Sequence, residues 1–242
     1  MSFYSESTKN ALQPKAEDII CESLNDFIAN ILSFEKQENE ILVFRGMADI
    51  DYKLQPSIGR KNYTLELEKQ VFLEFKRQYY LYTDLRPQND MDVLFLGQHY
   101  ELPTRLLDWS YNPMVALYFA CENEKKDEEA KDGRVYIHRL PNNLNDSEQN
   151  SNMPHSIDEI MKCNKNHFIV PNYTDARYRN QQSLFMFCGK PNEEAILKVN
   201  SLIIDKDSKK EILKNLALLG YNRTFIYPKL ESLCQDIKKR TK

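Results

Sequence analysis

The stretch Gln98-His99-Tyr100-Glu101-Leu102-Pro103-Thr104-Arg105-Leu106-Leu107-Asp108-Trp109-Ser110 decides how this chain is read. Asp90 is an N-cap type residue, and a helix is expected from it through Tyr100. Pro103 breaks that helix, because its ring removes a donor and clashes with the preceding turn. Asn112-Pro113 then reads as an N-cap followed by Pro at the first helical position, opening a short apolar helix over Met114 to Cys121. Between the two helices, Arg105 and Asp108 straddle two leucines, a pattern expected of a wall lining a pocket, where buried charge must be paired.

Outward from this stretch the period of the apolar residues alternates between helix and strand. Ile20, Leu24, Phe27, Ile28 and Ile31 predict a helix over about residues 16–32. Ile41 to Arg45 predicts a strand that Gly46 ends, and residues 47–62 read as a loop punctuated by Pro56 and Gly59. Val71, Phe72, Phe75 and Tyr79 predict the inward face of a helix over about residues 65–82. Strands are expected at Val135 to Leu140, Leu184 to Phe187 and Ile196 to Ile204, with a short buried segment at Phe168 to Val170. Asp207 and Gly220 bound a helix over Ser208 to Leu219, and Pro228 opens a last helix to about Lys239. The charged stretch 122–133 reads as a loop, and the Asn- and Ser-rich stretch 141–154 as a mobile one. The expected fold class is α+β, a mixed or antiparallel sheet flanked by helices, with a flexible segment over residues 1–15 and a single domain over residues 16–242.

Composition narrows the function classes. With 33 Lys+Arg against 36 Asp+Glu the formal net charge is -3, so no global nucleic-acid or membrane footprint is present. Only six glycines occur, against roughly seventeen from average usage, and neither a GxGxxG nor a GxxxxGK[ST] loop appears. The five cysteines are scattered and show no CxxC pair, as expected of free thiols in a reducing cytoplasm. The N-terminus shows no basic-then-apolar leader pattern, and no apolar run reaches the length of a membrane span. The histidines and cysteines lack zinc spacing.

Three segments carry chemistry. In Val43-Phe44-Arg45-Gly46 a strand ends in a guanidinium, a planar fork suited to phosphate or carboxylate, beside a residue that permits close backbone approach; a surface arginine paired with an acid is the plainer alternative. In the central stretch, Arg105 and Asp108 read either as a structural clamp on each other or as ligand contacts, and His99 as a general base or a histidine satisfied in the core. In Arg177-Tyr178-Arg179-Asn180-Gln181 the first and last residues share a helical face, and an exposed polar turn is the alternative.

Together these segments resemble the FRG domain family, named for a Phe-Arg-Gly motif that here is Phe44-Arg45-Gly46. The family's Tyr-x-Leu-x-Pro-Ser element followed by Arg is similar to Tyr52, Leu54, Pro56, Ser57 and Arg60. Its Gln-His-x-Gly-x-Pro-Thr-Arg-Leu-Leu-Asp-Trp-Thr block is similar to Gln98 through Ser110, with Glu101 in place of a glycine. A later block resembles Arg177 through Phe185, with Ser183 in place of another glycine, and a closing Gly-Tyr-Asn…Tyr-Pro-x-Leu resembles Gly220 through Leu230. Over roughly residues 20–235 the resemblance implies membership in a bacterial and phage family linked to mobile-element conflict, including phage defence and toxin roles. It names no reaction.

By analogy with ADP-ribosyltransferases, whose core also opens on a strand bearing aromatic-Arg-Gly, the expected activity is a transferase or hydrolase acting on NAD or another nucleotide. Under that reading His99, Gln181 and Asp108 are the candidate catalytic residues, and Arg45, Gln98, Thr104, Arg105, Trp109 and Arg177 the candidate ligand contacts. The cofactor expectation is NAD, and the partners are a small nucleotide or other anion and a protein target or antitoxin. The alternative is a non-catalytic module binding an anion, nucleotide or nucleic acid. A third reading is purely structural: Arg105 and Asp108 lock the Trp109 turn, and the polar segments never meet.

Overall fold

The structure is a computed structural model and describes residues 19–34, 38–60, 63–122, 130–142, 153–172 and 175–241. The expected flexible segment at residues 1–15, and most of the two loops expected over 122–133 and 141–154, lie outside the described residues. Seven strands form one mixed sheet flanked by helices, so the fold class is α+β.

The strands are β1 (Ile19–Cys21), β2 (Glu40–Met47), β3 (Leu106–Ser110), β4 (Gly133–Pro141), β5 (His167–Ile169), β6 (Ser183–Phe187) and β7 (Asn200–Ile204). Their order across the sheet is β1-β7-β4-β2-β3-β6-β5. Among the described residues only the β1–β7 pair is parallel.

The strand expected at residues 41–45 is β2, which runs on through Gly46 to Met47. Two other expectations change. Ile19–Cys21 is strand rather than helix, because these residues complete the sheet edge against β7. The helix α1 (Leu24–Ser33) starts later, where the Ser23 side chain accepts from the Asp26 N–H. Leu106–Ser110 is a central strand, not only a pocket wall, because it finds β6 on one side and β2 on the other.

The helix expected over 65–82 is α3 (Leu65–Gln78), continued by one 3-10 turn. α4 (Asp90–His99) is capped by Asn89 rather than by Asp90. α5 (Pro113–Cys121) opens on Asn112 with Pro at its start, as the sequence predicts, and is buried nearly all round. Gly46 lies under it: a Cβ there would come within 1.8 Å of the Ala116 carbonyl oxygen, so only glycine lets this helix lie directly on β2.

One face of the sheet carries two separate apolar cores. The first packs α1, α5 and α8 (Lys209–Leu218) on the β4–β7 side, around Phe27, Phe44, Leu117 and Leu216. The second packs α3, α4 and α6 (Ile157–Lys162) on β3, β5 and β6, around Phe72, Phe95, Phe185 and Phe187. A third core, with Val43, Leu107, Trp109, Leu184 and Met186, runs along the opposite face and spans both halves.

The joint between the halves is thin. β2 pairs with β4 through eight residue pairs and β3 with β6 through five, but β2 and β3 share only Phe44↔Ser110. Past that pair the two strands diverge and the sheet opens.

Arg105 anchors the β3 half. Its guanidinium is fully buried and meets Glu68 of α3 through two parallel bonds of 2.6 Å. Its third nitrogen donates to the Ile160 carbonyl of α6 at 3.0 Å. The Phe187 ring lies 5.4 Å from the guanidinium carbon. One side chain thereby ties β3 to two helices that share no turn with it.

Removing one partner leaves an uncompensated buried charge, so Glu68→Gln or Arg105→Met should lower unfolding free energy by about 3–5 kcal/mol in chemical denaturation. The double variant Arg105→Met/Glu68→Leu should recover most of that loss.

Candidate functional site

Where β2 leaves β3 a cavity of about 460 Å³ opens, and residues from three distant stretches line it. Arg45 comes from β2, Asp108 and Trp109 from β3, and Arg177 and Gln181 from the segment around α7 (Ala176–Asn180). The first and third stretches thus meet the central one, and the reading in which they never meet is excluded.

Arg45 crosses the split. Its Nη1 donates to the main-chain oxygen of Asp108 at 2.5 Å, taking the place of a ladder bond the diverging strands no longer make. Its Nε is buried without a hydrogen-bond partner among the described residues. One side of the fork is therefore anchored while another donor is unused. Burial pulls the guanidinium below its ordinary pKa; Asp108 opposes this and the nearby Arg60 adds to it.

Arg60 supplies a second cation from α2 (Ser57–Arg60). Its Nε donates to the Gln55 carbonyl at 2.9 Å, and it lies 6.0 Å from the Tyr52 ring centre, at the outer range of a cation–π contact. Arg177 is the third cation. Its Nη1 donates to the His99 carbonyl at 3.3 Å, and its guanidinium sits 5.3 Å from the Tyr227 ring centre. Two carboxylates, Asp108 and Glu101, oppose the three guanidinium groups. Tyr52, Phe119 and Tyr227 give the cavity aromatic walls.

Asp108 is exposed and positioned by a short relay. Gln98 Nε2 donates to its Oδ2 at 3.0 Å, and Thr104 Oγ1 donates to Gln98 Oε1 at 2.5 Å. The Thr104 main-chain N–H donates to Ser57 Oγ, and its carbonyl accepts from the Ile58 N–H. Thr104 itself is buried, so Gln98 and Thr104 orient Asp108 and the helix that carries Arg60; neither lines the cavity.

Three more expected site residues are placed differently. Arg105 is a fully buried partner of Glu68, with no donor turned to the cavity, and it does not pair with Asp108. His99 lines a separate, smaller cavity. Gln181 does line the cleft, but its amide Nε2 donates to the Ile226 carbonyl at 2.9 Å and so fastens α9 (Arg223–Ile226). Trp109 lines the cleft while packing against Phe168 and His138. Among the described residues no group of three metal-ligating side chains forms.

Sequence reasoning missed Arg60, Tyr52, Glu101 and Tyr227 as cleft residues. Tyr52 and Arg60 sit in a stretch read as loop, and nothing local shows that Ser57 is bonded to Thr104. Tyr227 belongs to a C-terminal segment held at the cleft by the Gln181 and Asn180 bonds to Ile226 and Phe225 and by the Tyr227 and Arg223 bonds to Glu122.

Residues 40–129 match the FRG domain family model, from the start of β2 past the end of α5. The chain carries an FRG domain. The match takes in Phe44-Arg45-Gly46 and the whole Gln98–Ser110 block, whereas Arg177, Gln181 and Tyr227 lie outside it. No curated protein and no solved structure matches the chain. Among the described residues of this FRG-domain protein, no helix is long and apolar enough to cross a membrane.

Glu101, which replaces the family's glycine, has φ 65° and so adopts the left-handed conformation glycine takes without cost. The position does call for a glycine-like backbone. At the other replaced position, the residue with positive φ is the neighbouring Gln182 rather than Ser183. Glu101→Gly should raise stability by up to about 1 kcal/mol in chemical denaturation, since the strained rotation is relieved.

Burial holds His99 below its ordinary pKa, with Asp175 opposing and Arg177 adding to the shift. As pH falls through about 6.5, the unfolded chain takes up the proton before the folded one, so stability present at neutral pH is lost on the acid side. Melting temperature followed against pH should fall less steeply below neutrality in His99→Gln than in the parent.

Proposed function

We propose that this FRG domain binds a nucleotide in the cleft between β2 and β3, with NAD the leading candidate. The observation that carries the reading is the convergence of three guanidinium groups: Arg45, fixed through one nitrogen on the Asp108 main chain, lines the same cavity as Arg60 and Arg177. Guanidinium groups that converge on one cavity suit a phosphate. A site for a bare anion gains nothing from two carboxylates beside it. A nucleotide accounts for both, because its phosphates meet the arginines while its ribose hydroxyls donate to Asp108 or Glu101. The aromatic walls suit a base.

The transferase or hydrolase reading, by analogy with ADP-ribosyltransferases, rests on Asp108. Gln98 aims its carboxylate, and a carboxylate at the sugar would stabilise positive charge developing at the anomeric carbon. Gln181, with its amide occupied, and His99, in the neighbouring cavity, then serve the architecture rather than the chemistry. A non-catalytic anion-binding module is the second reading, favoured by that same loss of two acid–base candidates. A single domain in the cytoplasm, acting in phage defence or as a toxin with a protein target or antitoxin, belongs to the proposal; the five unpaired thiols fit that compartment.

Calorimetric titration with NAD, ADP and inorganic phosphate tests the binding step. Arg45→Ala should weaken nucleotide affinity at least tenfold, about 1.4 kcal/mol, without unfolding the chain. Asp108→Asn should hold NAD within about tenfold of the parent yet abolish nicotinamide release. Binding by the parent without NAD consumption selects the binding module. A folded protein that takes up none of these ligands sinks the reading altogether.

A further inference from the structure

The helix α10 (Leu230–Arg240) turns its polar side inward and its apolar side out. Its buried residues are Ser232 and Asp236, at 4% and 6% exposure. Leu230, Leu233 and Ile237 stand outward at 72%, 43% and 50%, and Cys234 is exposed with them. These four recur at i, i+3, i+4 and i+7, so they form one apolar stripe along the helix. The orientation is held in place. Asp236 Oδ2 accepts from both the N–H and the hydroxyl of Thr224, at 2.8 and 2.6 Å, which fastens α10 to α9 with the carboxylate inward. Without that anchor the helix would gain by rolling, because leucines are stabilised by burial and a carboxylate by water.

The charges beside the stripe indicate what covers it. Glu231 and Lys238 are exposed and two helical turns apart, so they lie on the same side of the stripe, at its opposite ends. When two copies of a helix pack antiparallel about a twofold axis, each flank meets the same flank of the other copy in reverse order. Glu231 then meets Lys238 of the partner subunit, and Lys238 meets Glu231 of the partner subunit. In the same register Leu230 comes opposite Ile237 of the partner subunit, and Leu233 opposite Cys234 of the partner subunit. A parallel pair brings opposite flanks together and leaves Glu231 and Lys238 apart. The side that carries Ser232 and Asp236 faces the protein's own body and stays outside the contact.

We propose that the outward stripe of α10 is a self-association surface, and that its partner is the same helix of a second copy of this chain, packed antiparallel. One helix pair buries less than the about 1,200–2,000 Å² of a standard interface, so the dimer is a weak one. Pairing also braces a wall of the cleft, because Asp236 holds Thr224 in the short segment that carries Tyr227.

The test is sedimentation equilibrium of the full chain between about 5 and 500 µM. A monomer–dimer equilibrium is expected, weakened at least about tenfold in Leu233→Asp. Glu231→Lys and Lys238→Glu should each weaken it about threefold or more. An equimolar mixture of those two variants should regain the parent's affinity, because the antiparallel register then sets every acid against a base. A short bis-maleimide should join two parent copies, and Cys234→Ser should abolish the product. The substituted side chains are exposed, so each variant should keep the parent's melting temperature. A parent that stays monomeric at the highest concentration overturns the proposal; if it then binds vesicles of anionic phospholipid, the stripe serves a membrane surface instead. Association that Leu233→Asp leaves intact, or that the charge mixture fails to restore, overturns it as well. None of these outcomes touches the nucleotide reading of the cleft, which Arg45→Ala tests by itself.

Discussion

Two neighbouring strands that touch through one residue pair set the terms for the rest of this molecule. β2 and β3 meet at Phe44 and Ser110 and then part. Backbone groups in the middle of a sheet need partners, and an opening there is stable only if something else supplies them. Arg45 does so by donating to the Asp108 main chain, and α5 covers β2 closely because Gly46 offers no side chain. On the far side, Arg105 fixes β3 to α3 and α6 through Glu68 and Ile160. The opposite face is sealed by an apolar core that runs unbroken under both halves. The gap is therefore a built feature, rigid on three sides, and it leaves a cavity with strand ends, a helix and a C-terminal segment as its walls.

The two arginines of this arrangement divide the work by burial. Arg105 is sealed from water, and all its strong donors meet protein acceptors, so it can only be structural. Arg45 is half-buried, lines the cavity and spends one nitrogen on a protein acceptor, a state that suits a ligand. Both stand in stretches rich in apolar residues, and both look alike as letters. What separates them is the presence of Glu68, a residue 37 positions upstream that the chain folds against Arg105 and not against Arg45. The same logic separates Asp108 from Asp175: one carboxylate is held exposed by an amide, the other caps a helix.

Local signals in the sequence held up where a single segment decides its own form. The α5 start at Asn112-Pro113 is legible because the cap and the proline act within one turn. The β4 and β6 strands are legible because their apolar residues recur with the right spacing. Ile19–Cys21 misread as helix because three residues carry no period, and their strand form exists only through β7 nearly the whole chain away. Leu106–Ser110 hid its strand character behind Arg105 and Asp108, whose charges are neutralised or held by residues remote in sequence. The helix α6 went unread although Ser156 and Glu159 form a capping box at its start.

The sequence by itself determined the family, the α+β class and the identity of the three polar stretches, because motifs and periodicity are written in consecutive residues. Only the tertiary structure decided which side chain of each stretch faces the cavity. Charge, burial and hydrogen-bond occupancy are properties of neighbours in space, and Glu68, Ile226 and Phe44 became neighbours of Arg105, Gln181 and Ser110 only when the sheet and its helices came together.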